Sequence, residues 1–169
     1  MRHAFTLLVL ATILVGCSKP TEEDLWYRAT QLHKEKEMEP AIEAYQAVLD
    51  AYPAGIRAPE ALYALGGLEQ TSRRNYSKAI EYYRTLVTKY PMHGTSSNAS
   101  FMVGFIFANE LKQYDSARVA YEAFLAAYPT SPMVASAQFE LKTLGQSPDE
   151  FLAEQARKSK PSAKSQTKR

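Results

Sequence analysis

The stretch Ala79-Ile80-Glu81-Tyr82-Tyr83-Arg84-Thr85-Leu86-Val87-Thr88-Lys89-Tyr90-Pro91 decides the fold, because the chain carries its pattern three times. Ala41-Ile42-Glu43-Ala44-Tyr45 through Ala51-Tyr52-Pro53 lies 38 residues before it, and Ala117-Arg118-Val119-Ala120-Tyr121 through Ala127-Tyr128-Pro129 lies 38 residues after it. Met38, Tyr76 and Tyr114 keep the same spacing upstream. A fixed period of roughly 20–50 residues marks an array of stacked supersecondary units. Within the unit, Ala79, Ile80, Tyr83, Leu86, Val87 and Tyr90 share one face of a helix. The small first residue admits a close neighbour. The closing proline, which lacks an N–H and disfavours α geometry in the residue before it, ends the helix. Pro40 falls in the first turn of the earliest copy, where a helix tolerates it.

A second helix precedes each of these. Ala61-Leu62-Tyr63-Ala64-Leu65-Gly66 and Ala99-Ser100-Phe101-Met102-Val103-Gly104 match at the same 38-residue offset. Glycine inside a helix costs about 1 kcal/mol relative to alanine. Gly66 and Gly104 are therefore read as points where a partner helix packs on bare backbone. The earliest unit departs from this: Arg28 falls in the glycine position, and Leu25-Trp26-Tyr27 replaces the small residues. Its first helix is expected over Asp24–Glu37. The extra residues of the repeat are expected in turns around Gln70–Asn75 and Pro53–Pro59. Ala137 and Phe139 continue the register of Ala99 and Phe101, so 132–144 predicts a closing helix that covers the last apolar face. Gly145 stops it, and Ser147-Pro148-Asp149-Glu150 starts one last short helix through about Ala156.

Small-x-aromatic-x-apolar-Gly followed by the Tyr-x-x-Ala and Tyr-Pro helix resembles the tetratricopeptide repeat over residues 24–145. The resemblance implies an all-α, right-handed superhelical solenoid of about three helix pairs plus a capping helix. It also implies that the first helix of each pair lines a concave, protein-binding surface. By register, Tyr63, Gly67 and Gln70 face that surface from the second unit, and Phe101, Phe105, Ala108 and Asn109 from the third. Such a groove takes a partner's extended segment or helix, with aromatic anchors and amides that orient it. Tyr63 and Phe101 admit a second reading, as core residues of their own helix pairs.

The first seventeen residues read as an address. Met1-Arg2-His3 is a basic head, and residues 4–15 are apolar but for Thr6 and Thr12. Spanning a bilayer takes ~20 apolar residues, so the run is a secretory h-region. It ends Leu14-Val15-Gly16-Cys17, which resembles the bacterial lipobox. That resemblance implies a signal peptide over 1–16 and a diacylglycerol-modified, further acylated Cys17. Two or more chains on one residue suffice for stable anchoring. The competing reading is a signal cut elsewhere, with Cys17 incidental. By the enteric sorting pattern, Ser18 points to the periplasmic side of the outer membrane rather than the inner membrane. Residues 17–23 form a lipidated tether, 24–155 the repeat domain, and 156–169 a basic tail. Repeat and lipobox together are most similar to BamD-like lipoproteins of outer-membrane protein assembly and to the YbgF (CpoB) group tied to the Tol-Pal system. The BamD-like proteins carry more repeats than this chain.

Charge separates the body from the tail. Residues 18–155 hold 18 Asp/Glu against 13 Lys/Arg, whereas 156–169 hold six basic side chains and no acidic one. The tail reads as a disordered solubilising end, as an arm for lipopolysaccharide, peptidoglycan or another acidic surface, or as a segment that folds on a partner. Nucleic acid is excluded by the export signal. Eleven Tyr against seven Gly favour packed helices with aromatic contacts, and a single cysteine excludes an internal disulfide. Catalytic motifs are missing. His3 lies in the signal, and His33 and His93 have no ligand partner at zinc spacing. Glu35, Glu37 and Glu39 read as a solvated turn. No phosphate loop, nucleophile elbow or dinucleotide fingerprint is present. The expectation is a non-catalytic, lipid-anchored adaptor with no metal and no cofactor beyond the acyl chains. The alternatives are a structural link from membrane to cell wall or an accessory subunit of an envelope enzyme.

Overall fold

The computed structural model describes residues 19–159, and all the regular structure there is helical. Cys17, the expected signal segment over 1–16 and the expected tail beyond Ser159 lie outside the described residues. The order is α1 (Glu22–Lys34), α2 (Met38–Ala51), α3 (Ala58–Thr71), α4 (Tyr76–Lys89), α5 (Ser96–Phe105) continued by a π-helical turn (Ile106–Glu110), α6 (Tyr114–Ala127), α7 (Val134–Thr143) and α8 (Pro148–Ser159). The most extensive contacts join α1 to α2, α3 to α4 and α5 to α6; α2, α4 and α6 then each pack on the helix that follows. The result is a ladder of helix pairs built from near neighbours in sequence.

Alanine sets the closeness of the packing. Ala41, Ala79 and Ala117 open the second helices and are fully buried, as are Ala61, Ala99 and Ala137 in the first helices. Three core clusters follow, each spanning one pair and the next first helix. One holds Ala41, Tyr45, Val48 and Leu65; the next Ala79, Tyr83, Leu86 and Ile106; the last Phe101, Ala117, Tyr121, Phe124 and Ala137. The last cluster needs α7 to close it.

Gly66 and Gly104 accept a partner ring, as their sequence position implies. A Cβ on Gly66 would stand 2.6 Å from Tyr83 Cε1, and one on Gly104 2.6 Å from Tyr121 Cδ1. The first unit corrects the sequence register. After α3, the N–H of Arg73 donates to Leu68 O and that of Asn75 to Glu69 O; after α5, Leu111 donates to Ile106 O and Gln113 to Phe107 O. The bonds are the same, 38 residues apart, and reach back five and six residues. In the first unit the N–H of Glu37 reaches back only five, to Leu32 O. That connection is one residue shorter, so the glycine slot falls on Ala29, which is fully buried, while Arg28 is exposed.

Boundaries move for identifiable reasons. Helix α1 begins at Glu22, inside the expected tether, because Thr21 and Asp24 form a capping box. It ends at Lys34 rather than Glu37. Gln70 and Thr71 belong to α3, as do Ala58 and Pro59, so the turns narrow to 72–75 and 52–57. Residues 36, 74 and 112, one per turn, are left-handed at φ 64°, 53° and 54°, and all three are basic residues rather than glycine. At the far end Gly145 (φ +80°) stops α7. Ser147 and Glu150 exchange capping bonds at 2.7 and 3.2 Å. Helix α8 then runs to Ser159, so the first residues of the expected tail, 156–159, are helical.

The Tyr-Pro ends do more than terminate helices. Tyr52 Oη donates to Pro20 O at 2.9 Å, Tyr90 Oη to Pro53 O at 3.2 Å and Tyr128 Oη to Pro91 O at 3.1 Å. Each tyrosine ties its own loop to the chain segment one unit earlier. On the opposite edge, Arg73 bridges Glu39 and Glu69. These bonds raise the Arg73 guanidinium above its ordinary pKa, Glu39 being the larger cause.

Candidate protein-binding groove

The first helices of the pairs turn a shared face outward, and aromatic residues recur on it. Trp26 on α1, Tyr63 on α3 and Phe101 on α5 each pack on the tyrosine of their own second helix. Ring centroids lie 5.5 Å apart for Trp26–Tyr45, 5.7 Å for Tyr63–Tyr83 and 5.5 Å for Phe101–Tyr121, all tilted. Trp26 takes this position because of the one-residue shift of α1.

The three aromatics differ in what they leave open. Phe101 is 6% exposed and also meets Phe124 edge-on at 5.9 Å, so it is a core residue. Trp26 and Tyr63 are half-buried. Between them lies a cavity of about 430 Å³, lined further by His33, Tyr45, Glu60, Gly67, Thr71 and Thr95, among others. The missing side chain at Gly67 widens this cavity. The nearest atom that a Cβ there would meet is Tyr83 Oη, at 3.8 Å.

Polar groups surround the aromatics. His33 Nδ1 lies 3.2 Å from Tyr45 Oη, whose hydroxyl is held neutral to higher pH by burial. Thr71 Oγ1 donates to Gly67 O at 2.8 Å. Glu60 Oε1 stands 3.6 Å from His93 Nε2 and 4.0 Å from Arg57 Nη1, while its Oε2 is buried and makes no hydrogen bond with the described residues. The Arg57 guanidinium lies 5.5 Å over the Trp26 ring and is held there by Glu23 at 3.0 Å. Arg57 thereby limits the motion of the indole, a preorganisation that lowers the entropy lost on binding.

The residues expected on this face separate into two groups. Tyr63, Gly67, Phe105 and Asn109 reach the surface at least in part. Gln70, Phe101 and Ala108 are 9%, 6% and 5% exposed and lie inside. Gln70 and Ala108 stand at the same position of successive units and both turn into the stack, Gln70 within the α-helix and Ala108 within the π-helical turn. The register that placed them on the groove is therefore corrected in both units alike. Asn109 is exposed, and its amide donates to Phe105 O at 3.3 Å. Sequence reading missed Trp26, His33, Glu60 and Thr71. Trp26 and His33 stand 37 residues before Tyr63 and Gln70, so a strict 38-residue register passes over them.

A second cavity, of about 480 Å³, opens on the other face between α4 and α6 and is lined by Val87, Val103, Val119 and Ala123 with Arg84 and Asp115 among its polar residues. It carries no aromatic side chain. Aromatic anchors dominate the energetics of protein interfaces, so the face of Trp26 and Tyr63 is the stronger candidate. Among the described residues no group of three or more His, Cys, Asp or Glu side chains could hold a metal ion.

Stacked helix pairs with an aromatic groove define a class: a repeat scaffold for protein interaction. A tetratricopeptide-repeat family model matches residues 24–54, 60–91 and 98–131, and the chain belongs to that family. No curated protein sequence matches it. Arrays of this family generally bind protein partners and are typically not catalysts.

Proposed function

We propose that the chain is a lipid-anchored adaptor of the bacterial cell envelope that docks a partner polypeptide in the groove of Trp26 and Tyr63. The observation that carries the groove is the pair of half-buried aromatics flanking a cavity of about 430 Å³. The cavity floor is opened by Gly67, and Arg57 holds the indole in place. Such a site takes one bulky apolar side chain of a bound segment, while His33, Glu60 and Thr71 supply hydrogen bonds that set its direction. The lipobox-like ending at Cys17 supports the lipid anchor, and Ser18 after it, by the enteric sorting pattern, supports the periplasmic side of the outer membrane. Anchoring confines the adaptor near its membrane partners and raises their effective concentration. Outer-membrane protein assembly is the role to which the BamD-like resemblance points.

The test is capture from detergent-solubilised envelopes after crosslinking in living cells. The wild type is expected to return a specific partner, and the double variant Trp26→Ala, Tyr63→Ala to lose it while retaining its helical circular dichroism. Unchanged recovery with the double variant would eliminate the groove. Phe101→Ala is unsuitable, because it cuts into the third core cluster.

The charge of the tail favours a second reading, a link from membrane to cell wall. Six basic side chains over 156–169 would contact peptidoglycan or lipopolysaccharide. Sedimentation with purified walls, with and without the tail, separates this reading from the first. Equal sedimentation of both forms rejects it.

A further inference from the structure

The edge where the chain enters α1 is built unlike a free loop end. Pro20 O accepts from Tyr52 Oη at 2.9 Å. The Glu22 carboxylate accepts from the N–H of Arg57 at 2.7 Å and of Ile56 at 3.3 Å. These bonds pin the entering chain against the loop 52–57. Tyr90 Oη, donating to Pro53 O at 3.2 Å, sets the loop 90–95 beside it. On these two adjacent loops stand Ile56 and Met92, 76% and 94% exposed, the two most exposed large hydrophobic side chains among the described residues. The opposite edge instead presents the basic turns of Lys36, Arg74 and Lys112.

We infer that this edge is a membrane-contact surface on which Ile56 and Met92 enter the interfacial layer of the bilayer, an inference that rests on the lipid anchor at Cys17. The reason is reach. Cys17 precedes Pro20 by three residues, and a chain of that length spans at most ~11 Å. Acyl chains seated in a bilayer therefore hold Pro20 close to the headgroups, and the loops bonded to Pro20 and to each other are the part of the fold kept nearest the surface. One exposed apolar side chain on a soluble protein is ordinary. Two on the edge nearest an anchor already sit at high local lipid concentration, where little apolar area is needed to select one orientation.

The charges at this edge permit the contact. Glu23 is paired with Arg57 at 3.0 Å. The Glu22 carboxylate accepts hydrogen bonds from the N–H groups of Ile56 and Arg57, and the Asp24 carboxylate from Thr21. Lys19 and Lys89 are exposed and suit anionic headgroups. Methionine, unbranched and flexible, tolerates a disordered interface. With this edge down, the helices stand along the membrane normal. The Trp26–Tyr63 groove then opens sideways, parallel to the bilayer, towards membrane-bound neighbours.

The experiment uses the full lipidated chain. Cys17 is its single cysteine, so acylation leaves no other thiol. Ile56→Cys, Met92→Cys and, on the far edge, Glu35→Cys are each nitroxide-labelled and reconstituted into phosphatidylethanolamine–phosphatidylglycerol vesicles. Flotation with the vesicles reports the anchor, with Cys17→Ser as the unanchored reference. Accessibility to oxygen and to a nickel chelate reports depth. Labels at 56 and 92 are expected to lose chelate accessibility severalfold between detergent and vesicle, and the label at 35 to keep it. Chains that float while all three labels stay equally open to the chelate would overturn the orientation alone. Chains that fail to float would overturn the anchor, and the orientation with it.

Discussion

At the scale of the residue, two positions in the third unit set opposite expectations. Gly104 leaves room for the ring of Tyr121, which is fully buried and fenced by Phe101. A methyl group at 104 would stand 2.6 Å from Tyr121 Cδ1. Overpacking costs typically 1–3 kcal/mol, which outweighs the roughly 1 kcal/mol that alanine gains in helix propensity. Gly104→Ala should therefore lower stability in a urea titration, while Gly94→Ala, with nothing within 4 Å of its Cβ, should not overpack. Tyr121 has the converse defect. Its Oη is buried and makes no hydrogen bond with the described residues, and burial pushes the hydroxyl well above the ordinary tyrosine range. Tyr121→Phe should stabilise by about 1 kcal/mol at neutral pH. The pH dependence has a definite sign. A raised folded pKa means that the stabilisation is fully present below the unfolded value of about 10 and is lost as pH rises towards the folded one. Stability should fall at alkaline pH in the wild type and fall less in Tyr121→Phe. A set of urea midpoints against pH measures both.

At the scale of the element, the loops between pairs are held by one recurring bond. Tyr90 and Tyr128 each donate across to a proline carbonyl one unit back. These bonds lie at an exposed edge, so each should contribute about 0.5–1 kcal/mol. Tyr90→Phe and Tyr128→Phe should each lower the thermal midpoint by a little, and the double variant by more than either. Because both bonds hold the loop 90–95, through adjacent Tyr90 and Pro91, the departure from the sum measures their coupling. A double variant no less stable than the wild type would show that the tyrosines serve only to fill space. The sequence made the helix-ending role of Tyr-Pro legible, since proline geometry is local. It could not show the hydroxyl bond, whose acceptor is 37 residues away. The same limit applies to α1. A single residue fewer in the turn before α2 slides Trp26 into the place of Tyr63 and Ala29 into that of Gly66, and nothing within α1 signals that shift.

At the scale of the whole molecule, contacts between near neighbours imply that stability is a sum over units and their interfaces. No buried side chain belongs to two of the three core clusters; they meet through half-buried residues, Leu49 and Tyr82 between the first and second and Met102 and Phe107 between the second and third. Phe124→Ala, which removes a fully buried ring from the last cluster, should cost roughly 3–5 kcal/mol locally. Hydrogen exchange should then show lost protection in α5, α6 and α7, with α1 and α2 retained. Uniform loss of protection across the chain would contradict a stepwise array and point to one cooperative core. This modularity also isolates the groove. Trp26 and Tyr63 belong to the first two units, so damage at the far end should leave binding measurable.

The 38-residue echo of Ala, Tyr, Tyr and Pro determined the helices, their pairing and the stack, because period and proline geometry are properties of the chain itself. The lipobox-like ending at Cys17 is likewise a local pattern, and the anchor proposed from it rests on the sequence alone. Which side chains reach the groove was decided by tertiary structure. Whether Phe101 or Tyr63 stays exposed depends on the ring packed behind it and on the neighbouring helix. Gln70 and Ala108, which the helical register places on the groove, are buried in the stack, an outcome of how neighbouring helices pack that no residue type announces. The edge shared by Pro20, Ile56 and Met92 exists only after folding, since bonds between residues more than thirty positions apart bring it together.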